Sequence, residues 1–185
     1  GRGMLLLSGG LDSPVAAYQT MRRGMVIEGV HFESTPLTPI ESAQKVIDLT
    51  KKLCEFAPLR GIKVHMVPFK DLHMAILNNV SDSYKITIMR RMMFRISEKL
   101  ALKLGGQCLI TGDNLGQVAS QTIESMSVIN DVVNLPVLRP LISMDKNEIV
   151  LQDLFTYQKD YVSCEGEILG SLKPTGNIPS FINNV

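Results

Sequence analysis

The sequence contains few cysteines, few aromatic residues and almost no net charge. Among its 185 residues there are three cysteines and no tryptophan, and aromatic side chains make up 5%. Cys54, Cys108 and Cys164 form no Cys-x-x-Cys pair, which argues against a disulfide framework or a zinc ribbon and fits a reducing cytoplasm. A formal charge of +1 supplies no global field that would attract nucleic acid or anionic lipid. Any polyanion must therefore be bound by a local patch.

Long apolar runs are also missing. None approaches the roughly 20 residues that cross a bilayer, and the first residues are too poor in apolar side chains for a secretory signal. We therefore expect no membrane partner. Gly1-Arg2-Gly3 lacks an initiator methionine and lies next to a predicted strand, which predicts a fragment of a longer chain.

What the sequence does contain is a regular alternation of strand-like and helix-like segments. Short apolar runs predict strands at residues 4–7, 25–32, 62–68, 107–111 and 137–138. Apolar residues at helical spacing predict helices that begin near residue 12 and span residues 40–56, 71–80, 86–104, 117–129 and 145–155. This alternation predicts an α/β domain with a parallel sheet covered on both faces, over residues 1–150. Residues 151–185 are expected to be a divergent tail of the same domain.

The loop after the first predicted strand has the chemistry of a phosphate site. Its sequence is Ser8-Gly9-Gly10-Leu11-Asp12-Ser13. In parallel sheets, ligands bind at the carboxyl ends of the strands where the strand order reverses. Two glycines permit a close backbone approach, the following amides can form an anion nest, and the next helix presents its positive end. Ser8 and Ser13 add hydroxyl donors, and Asp12 or Ser13 is expected to cap the helix.

This loop matches neither of the common phosphate-binding motifs. It lacks the Gly-Lys-Ser/Thr of a Walker A loop and the G-x-G-x-x-G of a dinucleotide fingerprint. The Asp12 carboxylate beside phosphates implies Mg²⁺ between them. On the loop alone, an ordinary strand-to-helix turn with a capping aspartate remains the alternative.

Several motifs in a fixed order resemble a known enzyme family. The loop is similar to the pyrophosphate loop (PP-loop) of N-type ATP pyrophosphatases, which adenylate a substrate. The other motifs narrow the resemblance to the tRNA uracil 4-sulfurtransferases, or 4-thiouridine synthetases, which also act in thiamin thiazole synthesis. These motifs are His31-Phe32, residues 87–93, residues 111–122 and Leu138-Arg139-Pro140-Leu141. The resemblance covers residues 4–150 and implies a three-layer domain of the adenine-nucleotide alpha-hydrolase-like, Rossmann-like type.

The resemblance implies an ATP site at residues that this sequence retains. They are Leu6, Leu7, Ser8, Gly9, Gly10, Asp12, Ser13, His31, Phe32, Arg90, Gly112 and Gln121. Mg²⁺ is expected to accompany ATP, without a metal-ligand set of its own. For His31 the alternative is a loop histidine without a ligand, and for Gly112 it is a simple turn glycine. Asp113 stands where the family commonly has glutamate, which keeps the charge on a shorter arm.

The predicted long helix concentrates positive charge and methionine. From residue 84 to 103 there are six lysines and arginines against Glu98, a local excess of +5. Met89, Met92, Met93 and Ile96 recur at helical spacing and are expected in the core. Arg90 and its neighbour cannot both face that core, so at least one reaches a cleft or solvent. The excess charge suits a solvated face, the phosphates of ATP or a tRNA backbone.

The resemblance implies a two-step reaction. The O4 oxygen of a uridine in tRNA attacks the α-phosphorus of ATP, and pyrophosphate leaves. Sulfur from an enzyme persulfide, loaded by a donor such as a cysteine desulfurase, then displaces AMP. Asp12 and Cys164 are the implied catalytic residues, although the residues leading into Cys164 depart from the family pattern. Cys54 and Cys108 lie between apolar residues and are expected to be buried and structural.

Two other functions remain open from the sequence. One is a different PP-loop ATP pyrophosphatase, either a tRNA 2-thiolating enzyme or an amidotransferase-type synthetase. The other is a nucleotide-binding module without catalysis. Because the amino-terminal RNA-binding modules of the family are missing, we expect the chain to bind ATP well and tRNA poorly. The resemblance leaves a homodimer open.

Overall fold

The structure, a computed structural model, describes residues 1–39, 41–57, 61–118 and 121–150. In these residues five strands form one sheet in the order β3-β2-β1-β4-β5. The strands are β1 (Arg2–Leu6), β2 (Val26–Glu33), β3 (Val64–Pro68), β4 (Cys108–Ile110) and β5 (Val137–Leu138). Each neighbouring pair runs parallel. The predicted parallel α/β architecture is therefore confirmed.

The helices connect successive strands. They are α1 (Asp12–Met21), α2 (Glu41–Leu53), α3 (Lys70–Asn79), α4 (Asp82–Lys103) and α5 (Ile123–Asn130). A short 3-10 helix, Cys54–Phe56, follows α2, and residues 146–150 are helical. The predicted helix over 117–129 was wrong at its start. It begins at Ile123 because Thr122 caps it, its side chain accepting a hydrogen bond of 3.2 Å from the backbone N–H of Ser125.

The two faces of the sheet carry two apolar clusters. Successive residues of β1 point to opposite faces, so Leu5 packs in one cluster and Met4 in the other. The first cluster holds residues from α1 and α2, including Ala17 and Val46, and the second holds Phe94 of α4. This arrangement fixes the strand ends, and with them the loops that carry the predicted site.

The start of α1 differs from the prediction. Its N-cap is Leu11, without a side-chain cap hydrogen bond, so the expectation that Asp12 or Ser13 caps the helix was wrong. Both residues already lie inside the helix, and the Ser13 hydroxyl bonds to the backbone of Ser8 instead. The helix ends at a glycine, since Gly24 has a φ of 78° just after it.

The methionines of α4 are less buried than expected. Met89, Met92, Met93 and Ile96 are all half-buried, so their assignment to the core was wrong. The buried residues of α4 are Phe94, Ser97, Glu98 and Ala101. A helix of 22 residues is about 33 Å long, whereas the five residues of β1 span about 17 Å. The sheet is therefore too short to cover the helix along its whole length.

The cysteines divide between the described and undescribed parts of the chain. Cys108 is buried in β4, as predicted, and burial raises the pKa of its thiol. Cys54 is only half-buried, because it lies in the 3-10 helix after α2, so the expectation of a buried residue was wrong there. Cys164, like the whole predicted tail, lies outside the described residues. No helix within the described ranges is both long enough and apolar enough to span a bilayer.

Candidate nucleotide site

The strand order reverses between β1 and β4, and a pocket opens there at the carboxyl ends of the strands. In the chain β2 follows β1, but in the sheet β2 and β4 lie on opposite sides of it. This is the switch point at which ligands bind in open parallel sheets. The pocket has a volume of about 180 Å³. It is lined by Leu6, Ser8, Asp12, Ser13, Arg90, Met93, Phe94, Thr111, Gly112, Asp113 and Gln121.

The loop after β1 is closed by its own serines. The backbone N–H of Ser8 donates to Ser13 Oγ at 3.0 Å, and Ser13 Oγ donates to the Ser8 carbonyl oxygen at 3.0 Å. The two hydroxyl oxygens are 3.1 Å apart, and the Gly10 N–H lies 3.4 Å from Ser8 Oγ. The predicted phosphate loop therefore has a fixed shape. We call the two hydrogen bonds between Ser8 and Ser13 the Ser8–Ser13 brace, because they hold the loop closed.

Asp12 lies in the first turn of α1, in the wall of the pocket. Burial raises the pKa of its carboxyl, the positive charge of Lys146 lowers that pKa, and the negative charge of Asp113 raises it again. The net pKa shift is upward, so the ionised form is costly in the folded protein. A cation or phosphate-bound metal beside this carboxylate would remove that cost.

Gly112 permits the two sides of the pocket to approach closely. A Cβ at this position would lie 2.7 Å from the carbonyl carbon of Asp12 and 2.8 Å from the backbone nitrogen of Ser13. Such distances are impossible without movement of the backbone. The glycine therefore seats the loop after β4 against the start of α1, which is a different role from the simple turn considered above.

A buried charge network forms the opposite wall. Asp113 Oδ1 accepts a hydrogen bond from Arg90 Nη2 at 2.5 Å, and its Oδ2 accepts from Thr111 Oγ1 at 2.9 Å and from Arg139 Nε at 3.1 Å. Arg139 also donates from Nη2 to Asn130 Oδ1 at 2.7 Å. Residues from α4 and from the ends of β4 and β5 thus meet at one carboxylate, and α5 is joined to them through Asn130.

The two adjacent arginines of α4 take different directions, as expected. Arg90 lines the pocket and lies over the Phe94 ring, 6.0 Å from its centroid. Arg91 turns toward α5, where its guanidinium hydrogen-bonds to the Val128 carbonyl oxygen and lies 3.8 Å from Asp131. The helix therefore supplies one guanidinium to the site and one to its own packing.

Gln121 brings a buried acceptor into the pocket. The residue is 9% exposed, and within the described part of the chain its Oε1 has no hydrogen-bond partner. A buried amide oxygen without a donor costs about 1–3 kcal/mol. A ligand that donates an N–H there would recover this energy, and the exocyclic amine of adenine has such a group.

Five of the residues implied by the resemblance lie outside the pocket lining. They are Leu7, Gly9, Gly10, His31 and Phe32. Leu7 is core, and its carbonyl oxygen is 3.0 Å from His31 Nδ1, so the buried histidine ties the end of β2 to that of β1. Phe32 packs edge-on against Phe69, with ring centroids 5.2 Å apart. The two glycines belong to the loop between Ser8 and α1.

Sequence reasoning missed the role of several pocket residues. Asp113 and Arg139 carry the charge network, Thr111 orients it, and Met93 and Phe94 add apolar wall. A signal was present for Thr111 and Arg139, because these two residues directly follow β4 and β5 at the carboxyl edge. Within the described ranges no group of three or more histidine, cysteine and acidic side chains is placed to hold a metal ion.

The fold and the site define a class of protein, the Rossmann-like α/β domains with a loop pocket at the switch point of a parallel sheet. An NMN synthetase from Francisella tularensis shares this fold, with a TM-score of 0.61, 16% identity, and coverage of 85% of this chain and 61% of that chain. The chain belongs to the family described as thiamine biosynthesis protein (ThiI), whose model matches residues 1–160. The predicted family resemblance is thereby confirmed.

Individual relatives agree with this family. A probable tRNA sulfurtransferase of Acholeplasma laidlawii is 54% identical over 150 residues, which is 81% of this chain and 36% of that protein. A protein of the same name from Oceanobacillus iheyensis is 51% identical over 160 residues, or 85% of this chain and 40% of that one. A crystal structure of a 4-thiouridine synthetase–RNA complex with bound ATP has a TM-score of 0.81 and 42% identity, and it matches 84% of this chain and 40% of that chain. The chain thus spans about two fifths of these relatives.

Proposed function

We propose that this chain binds ATP between β1 and β4 and is the adenylating part of a tRNA 4-thiouridine-forming sulfurtransferase, with a linked role in thiamin thiazole synthesis. One observation carries the proposal: a closed serine–glycine loop, Arg90 and Gln121 share a single pocket at the switch point, and Gln121 Oε1 has no hydrogen-bond partner among the described residues. The relatives named tRNA sulfurtransferase support the reaction. A solved relative that carries ATP and RNA supports both ligands.

The pocket residues fit the chemical groups of ATP. Gln121 Oε1 can accept a hydrogen bond from the adenine amine, and Leu6 offers apolar surface to the adenosine. The amides of the loop and the start of α1 suit phosphate oxygens, and so does the Arg90 guanidinium. Asp12 is the carboxylate that would share Mg²⁺ with the phosphates, because Mg²⁺ in such sites takes one or two carboxylates plus phosphate oxygens.

The residues of the pocket would favour adenylation by positioning and charge. The uridine O4 forms a bond to the α-phosphorus as the bond to pyrophosphate breaks, and the leaving group carries away the negative charge. Donors already fixed in place, namely the loop amides and Arg90, stabilise that charge without reorganising. The Ser8–Ser13 brace keeps those amides aimed, which is the main contribution that this fold makes to the rate.

The sulfur-transfer step belongs to Cys164 in this proposal. The terminal sulfur of a persulfide on Cys164 Sγ, loaded by a donor such as a cysteine desulfurase, bonds to C4 of the adenylated uridine as the bond to AMP breaks. An external thiol reductant then attacks Sγ and cleaves the S–S bond, which releases 4-thiouridine and leaves a mixed disulfide on Cys164; a second thiol regenerates the Cys164 thiol. Of the described cysteines, Cys108 is unsuited because it is buried and burial raises the pKa of its thiol. Cys54 lies in the 3-10 helix after α2 and does not line the pocket. The proposal also includes a cytoplasmic location and leaves the homodimer to experiment.

The exposed cations of α4 support tRNA as the partner. Arg95, Lys99 and Lys103 lie exposed at intervals of four residues along one side of the helix. Each step of four residues advances about 6 Å along the axis, which makes a row of positive charge that starts five residues after Arg90 and runs to the carboxyl end of α4. Such a row suits the phosphates of a nucleic-acid backbone. Glu98 does not interrupt this row, because it is buried and accepts hydrogen bonds from the backbone of Asn134 and Leu135.

The proposal is tested with purified chain, unmodified tRNA at high concentration, ATP, Mg²⁺, a persulfide donor and a thiol reductant. We expect ATP binding, tRNA-dependent pyrophosphate release and 4-thiouridine. Asp12→Ala should abolish pyrophosphate release, whereas Asp48→Ala, a matched change on the exposed face of α2, should not. Cys164→Ser should stop 4-thiouridine formation and leave pyrophosphate release intact.

Each failure points to a different alternative. If the chain does not bind ATP and Asp12→Ala changes nothing, the nucleotide site is wrong. Pyrophosphate release that is independent of unmodified tRNA would instead indicate another PP-loop pyrophosphatase. ATP binding without any pyrophosphate release would indicate a module that has lost catalysis, and 4-thiouridine made by Cys164→Ser would remove the role of that cysteine alone.

A further inference from the structure

We propose that Asp113 is a positioning residue that holds the Arg90 guanidinium toward the phosphate end of the pocket; this rests on the proposed ATP site. The Asp113 side chain is 8% exposed, and its Oδ1 lies 2.5 Å from Arg90 Nη2. It is the carboxylate through which the ends of two strands reach the long helix. The hydrogen bond to Asp113 fixes one nitrogen of the Arg90 guanidinium in the wall of the pocket.

The carboxylate is itself fixed by two neighbours. Thr111 donates to its Oδ2 from one residue past β4, and Arg139 donates to the same oxygen from one residue past β5. Arg139 is held in turn by Asn130 at the end of α5. The position of the Asp113 carboxylate is thus determined by the sheet. Its ion pair with Arg90 links that position to α4.

The charges explain why the carboxylate is needed. Arg90 and Arg139 are 18% and 11% exposed, and both contact the one carboxylate of Asp113. Removing its charge would leave two largely buried guanidiniums repelling each other across one side chain. Loss of the charged partner of Nη2 would change the direction in which the Arg90 guanidinium faces the pocket. The Phe94 ring beneath it supports the guanidinium but does not direct its N–H groups.

The neighbouring ion pair provides a matched control. Arg91 on the same helix lies 3.8 Å from Asp131, whose side chain is 78% exposed. This second pair has the same chemistry, is adjacent in sequence and does not line the pocket. Asp131→Asn therefore removes an aspartate from an α4 arginine without disturbing the site.

The experiment measures affinities for ATP and for adenosine with wild-type chain, Asp113→Asn, Arg90→Gln, the double variant and Asp131→Asn. Since Arg90 serves the phosphates, we expect Asp113→Asn to weaken ATP binding by about tenfold and adenosine binding by less than about twofold. The double variant should bind ATP no more weakly than Arg90→Gln, since the two changes remove one interaction. Asp131→Asn should leave both affinities unchanged.

Three results would overturn the inference while leaving the ATP site standing. The first is an equal loss of affinity for ATP and adenosine in Asp113→Asn, which indicates a purely structural role. The second is additivity of the effects of Asp113→Asn and Arg90→Gln on ATP affinity. The third is tighter ATP binding by Asp113→Asn, which indicates that the carboxylate only repels the phosphates. If wild-type chain binds no ATP, the proposed function fails as well. Should Asp113→Asn not fold, Thr111→Val replaces it, because this change keeps every charge and removes one hydrogen bond to Oδ2. A smaller loss selective for ATP is then expected, and no selectivity contradicts the proposal.

Discussion

At the scale of single residues, the pocket contains groups that are costly to the folded chain. The pKa of Asp12 is raised, so its ionised carboxylate opposes folding. Gln121 Oε1 also opposes folding, because it has no hydrogen-bond partner among the described residues. Both groups lie where a nucleotide would compensate their cost. Strain of this kind is expected at sites selected for binding rather than for stability. Substitutions at these two residues can therefore distinguish effects on stability from effects on function.

Asp12→Asn should stabilise the chain and abolish its activity. Because the folded pKa is raised above the ordinary 3.8, the folded state binds the proton more tightly than the unfolded state. The resulting stability is present below about pH 4 and is lost as pH rises through the folded pKa, so the ionised carboxylate is unfavourable at pH 7. Thermal unfolding should show a higher Tm for the variant at pH 7 and a shrinking gain toward pH 4. A lower Tm at pH 7 would contradict this account.

Gly112→Ala should destabilise the chain by about 1–3 kcal/mol, because the added Cβ meets backbone atoms that cannot rotate away. At about 2–4 °C per kcal/mol, the Tm falls measurably, and ATP binding weakens as the start of α1 is displaced. Gly10→Ala is the contrast, since its nearest atom would be Ser8 Oγ at 3.6 Å. Calorimetry of both variants checks the prediction, and equal Tm values would show that the close approach at Gly112 is not required.

At the scale of secondary-structure elements, the sequence predicted what local periodicity and turn residues determine. The five strands and the serine–glycine loop follow from apolar runs and glycines, and they agree with the structure. The first turn of α4 was missed because Asp82 to Lys85 carries no apolar repeat and is held by polar contacts such as Lys85 to Asp82 at 2.6 Å. The Asp113–Arg139 pair was missed for another reason: it joins strand ends whose adjacency depends on strand order, which periodicity does not encode.

Neutralising the exposed row of α4 should reduce the electrostatic part of RNA binding. The variant carries Arg95→Gln, Lys99→Gln and Lys103→Gln, and each lost phosphate contact lowers the slope of log K against log salt by about 0.7–0.9. We therefore expect the slope for an unmodified tRNA to fall by about 2–3, with ATP affinity unchanged. A control with Arg23→Gln, Lys51→Gln and Lys63→Gln removes equal charge from other exposed positions. Equal loss in both variants would indicate nonspecific attraction and contradict the role of α4.

At the scale of the whole molecule, ATP should act as a clamp between the two halves of the sheet. The pocket takes its walls from the loop after β1, from α4 and from the segments after β4, so a bound ligand contacts parts that separate on unfolding. The neutral overall charge hides a local positive surface on one helix. Composition alone therefore says little about the partners of this domain.

ATP at about 100 times its Kd should stabilise the chain by about 2.7 kcal/mol. At about 2–4 °C per kcal/mol, this raises the Tm by about 5–10 °C. GTP should have a much smaller effect, because its O6 would place a second acceptor against Gln121 Oε1. Thermal shift measurements with both nucleotides test this, and equal shifts would remove Gln121 from adenine recognition.

The parallel pairing of β1 on both of its edges also determines the order in which the strand pairs form during folding. Gly3 pairs with Ile27, 24 residues away, and with Cys108, 105 residues away. Closing the longer loop costs about 1.3 kcal/mol more by chain entropy, and β4 leaves the ribosome long after β1 and β2. The pocket is therefore completed late, after much of the sheet exists. A nucleotide that needs both walls of the pocket binds after the folding barrier has been crossed. It is therefore expected to lower the unfolding rate and to leave the folding rate unchanged.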